Sequence, residues 1–337
     1  MDEGSHPVLA AVTRSGRVEC VHRGALAIAD AEGAVVAHAG DVGLGAYFRS
    51  AAKPIQLLPL VESGAADQLG LGEAELAVAA ASHAGSSEQV RAVSSILARA
   101  GLDAEALGCG YQEPRDRRSL EARIMANGDD RSGIYNNCSG KHAGMLALAV
   151  SLGAPPAGYL DPEHPAQARI LARSRELAGL APAEAHFGID GCSAPTLFAT
   201  VAQMAATFAR LAREASRTGS AAARIQQAMS TRSDMLGDPA SFNSVLMRTL
   251  GQRVLGKLGA EGVFCVAIPA AGLGIALKLA DGASRALGPV VLETLVQLAL
   301  VSPNELGPLA AHHRPVLKNW RGTSIGEIQA TFELERT

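Results

Sequence analysis

Short, mostly apolar runs open the chain. The runs at 8–12, 18–22 and 25–29 are short and β-prone, and the run at 35–38 follows the turn Ala31-Glu32-Gly33, a hairpin-like arrangement. The end of the chain returns to this style. Segments 263–268 and 275–279 are apolar strands joined by a connection containing Pro and Gly. Asp281-Gly282 then turns the chain into a helix over about 289–301, and a last strand follows over 325–334. Between these ends, apolar positions recur at helical spacing from about residue 50 to residue 250. Residues 88–100 form an amphipathic helix with Ser86 or Ser87 as its N-cap and Gly101 as its stop. Further helices are predicted over 194–214 and 221–235. The pattern predicts an α+β fold in one domain spanning 1–337. The ends (about 1–48 and 255–337) build one antiparallel sheet, and the middle (about 50–250) supplies a mainly helical region.

Composition narrows the class. Apolar residues make up 48% and charged residues 19% of the 337, so the chain can bury a large core and is not disordered. A formal net charge of −3 offers nothing in bulk to nucleic acid or an anionic membrane. Arg115, Arg117 and Arg118 cluster, which reads as a solvated loop. The first six residues, Met-Asp-Glu-Gly-Ser-His, begin no apolar leader, and the most apolar stretch (263–277) is too short to cross a bilayer. A cytoplasmic location is expected, and there the five cysteines read as thiols or metal ligands.

The candidate chemistry begins at Arg49-Ser50-Ala51-Ala52-Lys53-Pro54. Pro54 favours a helix start, because the first N–H groups of a helix have no partners in any case. Pro59 would kink that helix or move its start. If the turn is helical, Ser50 and Lys53 share a face. A hydroxyl attacks poorly until a base takes its proton, and lysine can be that base when burial or a neighbouring cation lowers its pKa. A Ser-x-x-Lys pair alone is a weak signal and is more often an N-cap and a surface lysine.

Four further stretches stand out. Ser82-His83 ends an apolar run before Gly85, which fits either a pocket wall or a plain helix C-terminus. In Asn136-Asn137-Cys138-Ser139-Gly140-Lys141-His142, Ser139 reads as an N-cap, so Cys138 would sit where a thiolate is favoured. Asp190-Gly191-Cys192 also precedes a predicted helix. The two cysteines could meet on a zinc ion or be separate buried thiols, and spacing alone does not choose. Lys257, in Gly256-Lys257-Leu258-Gly259, reads as a turn lysine entering a sheet edge. It could point into a cleft or into solvent, and the stretch is no phosphate loop.

Together these motifs resemble the L-asparaginase II family, which includes the Rhizobium-type asparaginases. The resemblance runs over nearly the whole chain, through 49–54, 81–83, 137–145, 190–192 and 256–262. It ends in Asn319-Trp320-Arg321-Gly322 and Gly326-Glu327-Ile328. It implies a serine β-lactamase-like fold, a homodimer, and hydrolysis of L-asparagine to L-aspartate and ammonia. Carried over by position, Ser50 is the nucleophile with Lys53 as its partner, and Ser82 and Lys257 form the second serine–lysine pair. Cys138, Lys141 and Cys192 are zinc ligands. Arg49, His142 and Asp190 orient substrate or metal. Some relatives carry a further cysteine near the position of Asn243, whose absence leaves the Ser/Lys set untouched. Two other readings fit the same residues. One is a glutaminase or β-lactamase-like serine amidohydrolase, and the other is a non-catalytic amino-acid-binding protein. The intact Ser50, Lys53, Ser82 and Lys257 disfavour the second.

Overall fold

A computed structural model describes residues 6–125 and 131–337; the acidic start of the chain, residues 1–5, lies outside the described residues. In chain order the elements begin with β1 (Val8–Arg14), β2 (Arg17–Asp30), β3 (Val35–Ala39) and β4 (Gly45–Tyr47). Helices α1 (Lys53–Glu62), α2 (Ala65–Gln68), α3 (Glu73–Ala79), α4 (Ser87–Arg99), α5 (Arg117–Met125), α6 (Ser139–Ser151) and α7 (Pro165–Ala178) follow. Strands β5 (His186–Ile189) and β6 (Pro195–Thr200) precede α8 (Val201–Ala215), α9 (Ala221–Thr231) and α10 (Phe242–Leu250). The chain ends with β7 (Leu255–Leu258), β8 (Val263–Ile268), β9 (Leu273–Leu279), α11 (Leu287–Gln297), α12 (Ala310–His313), β10 (Val316–Lys318), β11 (Ser324–Ala330) and β12 (Glu335–Arg336).

The chain divides into two compact units, one of residues 1–51, 199–213 and 258–337, the other of 52–198 and 214–257. The first is built on an antiparallel sheet in the order β10-β11-β1-β2-β9-β8, with β3 pairing both β2 and β12. Both ends of the chain therefore build the sheet, as their short β-prone runs predict. The segments 18–22 and 25–29 are one continuous strand. β2 runs through Arg23 and Gly24, and the backbone of Lys278 passes where a Cβ on Gly24 would lie. Half of β2 is exposed, whereas Ala25 to Ala29 are wholly buried, which explains the broken look of its pattern. The helix α8 joins this unit from mid-chain. Gly274 on β9 lets the α8 backbone at Ala205, Phe208 and Ala209 approach the strand without a Cβ in the way.

The second unit is helical. Its helices α1 and α6 are buried on almost every side, including all residues from Lys53 to Val61 and from Ser139 to Ala149. A helix apolar all round belongs in a core. Pro59 stays within α1 and does not end it. Helix α4 carries the predicted cap, a capping box between Ser86 and Gln89. Three expectations are corrected. The predicted helix over 194–214 starts as strand β6, because Thr196, Leu197 and Phe198 pair with β5 in register Phe187↔Leu197. Cys192 thus sits at a hairpin tip and not before a helix. Ser139 is the first residue of α6 and Cys138 its N-cap position; the Ser139 hydroxyl bonds Ile134 O instead of capping. Lys257 is not on a turn but on strand β7, 1% exposed.

Candidate active site

The helical unit gathers two lysines on one serine. Helix α1 begins at Lys53, with Pro54 in its first turn. Helix α3 ends at Ala79, and the loop after it carries Ser82. The Lys53 Nζ lies 2.6 Å from Ala81 O, 3.2 Å from Asn137 O and 3.0 Å from Ser82 Oγ. The Lys257 Nζ reaches the same Ser82 Oγ at 3.2 Å. Both lysines are buried, at 0% and 1% exposure. Burial pulls the pKa of each below its ordinary value, since a charge out of water is costly. Lys257 is pushed further down by the positive charge of Lys53, and Lys53 is partly held up by Cys138.

The loop carrying Ser82 is clamped. His83 accepts from Gly85 N–H at Nδ1 (3.1 Å) and meets Ser139 Oγ through Nε2 (2.8 Å), while Ser139 bonds on to Ile134 O. Its backbone N–H bonds Asn137 O. Burial holds the imidazole neutral, with its pKa pulled down to about 3. On the other side, Asn243 Nδ2 donates to Gly256 O at 2.9 Å, bracing the strand that carries Lys257.

Beside these groups lie two thiols and an amine. Cys138, at the start of α6, is 3.0 Å from Asn137 Oδ1. Lys141, in the first turn, donates to Cys192 Sγ at 3.0 Å. Cys192 arrives on the β5–β6 hairpin tip, where Asp190 N–H bonds Ala194 O, Gly191 N–H bonds Asp190 Oδ1, and Ser193 turns left-handed at φ +70°. Asp190 Oδ2 stands 3.9 Å from Cys192 Sγ. The thiols titrate as a pair. A hydrogen bond from Cys192 and the charges of Lys53 and Lys141 lower Cys138, and Cys192 is raised in return. Burial pulls the Lys141 ammonium down, but Cys138, Cys192 and Asp190 outweigh it and its pKa is raised. No group of three or more His, Cys, Asp or Glu side chains suited to a metal occurs among the described residues. Two thiols, one already favoured as thiolate, with an amine in contact nevertheless form a soft S/N donor set that fits zinc. The raised lysine pKa means that its proton must leave before it can ligate.

Next to Lys141, His142 is fully buried, and its pKa is well below the ordinary value through burial and the charges of Lys141 and Lys53. Its Nδ1 lies 2.5 Å from the hydroxyl of Tyr159, a buried residue that the sequence motifs do not mark. Tyr159 falls in a Pro- and Gly-containing connection, where no spacing rule singles out an aromatic.

Ser50 and Arg49 stand on a 3-10 turn, Arg49–Ala52, continuous with α1. Arg49 holds φ at +51°, a conformation costly for a residue with a Cβ and concentrated at functional sites. Ser50 is half-buried. It belongs to the sheet unit, whereas Lys53, Ser82, Lys257, Cys138, Lys141, His142, Asp190 and Cys192 belong to the helical unit. The helical unit thus joins Lys53 and Lys257 to Ser82, and Lys141 to Cys192.

A family model described as L-asparaginase II matches residues 10–330. No curated protein matches the chain. Among solved structures, Mglu in its native form is similar at 17% identity and a TM-score of 0.44, with 83% of this chain and 64% of that chain covered. The chain therefore spans less than two thirds of the length of that relative. A Bacillus glutaminase is similar at 12% identity and TM-score 0.45, covering 82% of this chain and 91% of that one. A β-lactamase from Mycobacterium bovis is similar at 17% identity and TM-score 0.41, covering 88% and 98%.

Proposed function

The chain belongs to the L-asparaginase II family, and from that premise we propose that it is an L-asparaginase, hydrolysing the side-chain amide of L-asparagine through a serine activated by lysine. The observation that carries this reading is the pair of buried lysines meeting on the Ser82 hydroxyl. A neutral lysine has two N–H groups and one lone pair. Lys53 has two carbonyl acceptors, Ala81 O and Asn137 O, so its lone pair is left for a hydroxyl proton.

In the proposed reaction the Ser50 hydroxyl attacks the amide carbon and Lys53 serves as base. The strained Arg49 before Ser50 supports this assignment. Ser82 and Lys257 carry the proton onward to the departing ammonia. Water then cleaves the aspartyl ester, releasing L-aspartate and restoring the serine. Zinc, held by Cys138, Lys141 and Cys192, would supply a fixed positive charge for substrate binding. Arg49, His142 and Asp190 orient substrate. The enzyme is proposed to act as a homodimer in the cytoplasm. No helix among the described residues is long and apolar enough to cross a membrane.

Ammonia release from L-asparagine and from L-glutamine, with nitrocefin hydrolysis alongside, tests the reading. Turnover of asparagine well above the other two is expected. Preference for glutamine or nitrocefin would replace the substrate, and binding of asparagine without turnover would replace the enzyme with a sensor.

A further inference from the structure

We propose that Tyr159 is a positioning residue that fixes His142 as the Nε2–H tautomer, so that a buried N–H is held ready for a carboxylate oxygen of the substrate. The inference deepens the reading of the chain as an enzyme for a small amino-acid amide. It starts from a hydrogen-bond chain whose direction is fixed at one end. Gly108 N–H can only donate, and it donates to the Tyr159 hydroxyl oxygen at 2.8 Å. The hydroxyl has one proton, and its remaining partner among the described residues is His142 Nδ1 at 2.5 Å. Tyr159 is 4% exposed, so a proton aimed elsewhere would be buried without an acceptor, at substantial cost. The proton therefore points at Nδ1, which must offer its lone pair. The neutral ring then carries its own proton on Nε2.

That Nε2–H is buried and has no partner in the protein, in a side chain with no solvent exposure. Buried donors are normally satisfied, so an orphaned one beside reactive groups is a donor awaiting a ligand. The partner it suits is a hydrogen-bond acceptor, and the strongest acceptors on an amino-acid amide are its carboxylate oxygens. The same proton bars the nearby alternative. A nitrogen that holds a hydrogen has no lone pair for a metal, so His142 would not join Cys138, Lys141 and Cys192 as a ligand.

Long-range 1H–15N correlation spectra of the full-length zinc-loaded protein, with the His142 signals identified by their loss in His142→Gln, read the tautomer directly. A protonated Nε2 and an unprotonated Nδ1 are expected. The reverse pattern, with Nδ1 protonated, would overturn the proposal whether or not Tyr159→Phe folds. In parallel, Tyr159→Phe should raise KM for L-asparagine about tenfold, the loss of one charge-assisted hydrogen bond, with kcat within about twofold and zinc content unchanged. An unchanged KM, or a loss of zinc, would also overturn it. Failure of the wild type to turn over asparagine would instead refute the asparaginase reading, while the spectrum still decides the tautomer.

Discussion

A buried lysine is useful as a base only if something keeps it neutral; here burial favours the neutral form of both, helped by the charge of Lys141 at Lys53 and by those of Lys53 and Lys141 at Lys257. The Lys53 ammonium position is lined by two carbonyls and the Ser82 hydroxyl, in contrast to Arg173, which pairs with Glu62 and Glu214. Replacing Lys53 by methionine keeps the stem and removes the base. The expected result is a kcat lower by about 10²- to 10⁴-fold, with little loss of thermal stability because a buried polar head is removed. Steady-state kinetics and a melting curve on one sample check both halves. His83 makes a separate prediction. Its folded pKa of about 3 is below the ordinary 6.5, so the unfolded chain takes up this proton first as pH falls. Stability is therefore fully present above about pH 6.5 and is lost progressively toward pH 3, by up to about 1.4 kcal/mol per pH unit. His83→Gln should flatten that slope in denaturant titrations at several pH values; an unchanged slope would contradict it.

Two close approaches between elements set the site. A Cβ on Gly140 would meet the Val78 carbonyl, where α6 crosses α3, and one on Gly274 would meet the α8 backbone. Gly140→Ala should push α6 off α3, lowering the melting temperature and shifting Cys138 and Lys141 together. Gly274→Ala should cost comparable stability in the sheet unit, on the order of 2 kcal/mol or more. Differential scanning fluorimetry with a zinc assay separates them, since only the first should reduce zinc uptake. The elements also explain what the sequence could convey. The runs 8–12 and 35–38 read directly as strands because they are short and β-prone, and a turn leads into the second. The helix α4 is legible because Ser86, Gln89 and Gly101 punctuate it. By contrast, β6 is buried and short, so its apolar run is indistinguishable by period from the start of α8. Lys257 looks like a solvated turn residue because Gly256 and Gly259 flank it, and only the tertiary fold gives it Ser82 as partner. The Ser/Lys and Cys/Lys residues were recognisable as a family pattern, whereas Tyr159 acts through one hydrogen bond to a distant residue and leaves no local trace.

At the scale of the molecule, the chain interleaves its two units. Residues from both ends and from 199–213 build the sheet unit, and 52–198 with 214–257 build the helical one. The helical unit keeps thiols, lysines and His142 in one buried polar neighbourhood, so its charges act on each other at low effective dielectric. A metal bound there would tune binding more than attack. Chelation should raise KM for asparagine several-fold while kcat at saturation changes little, and complete loss of kcat would point to a metal-bound hydroxide as nucleophile. The central claim is that Ser50 forms the acyl-enzyme. Ammonia release from L-asparagine by the wild type and by Ser50→Ala, with acid-quenched samples mapped for an aspartyl ester, tests it most directly. The account predicts an ester on residue 50 in the wild type and turnover at least about 10³-fold lower in Ser50→Ala. Ordinary turnover by Ser50→Ala, or an ester found on Ser82, would contradict it.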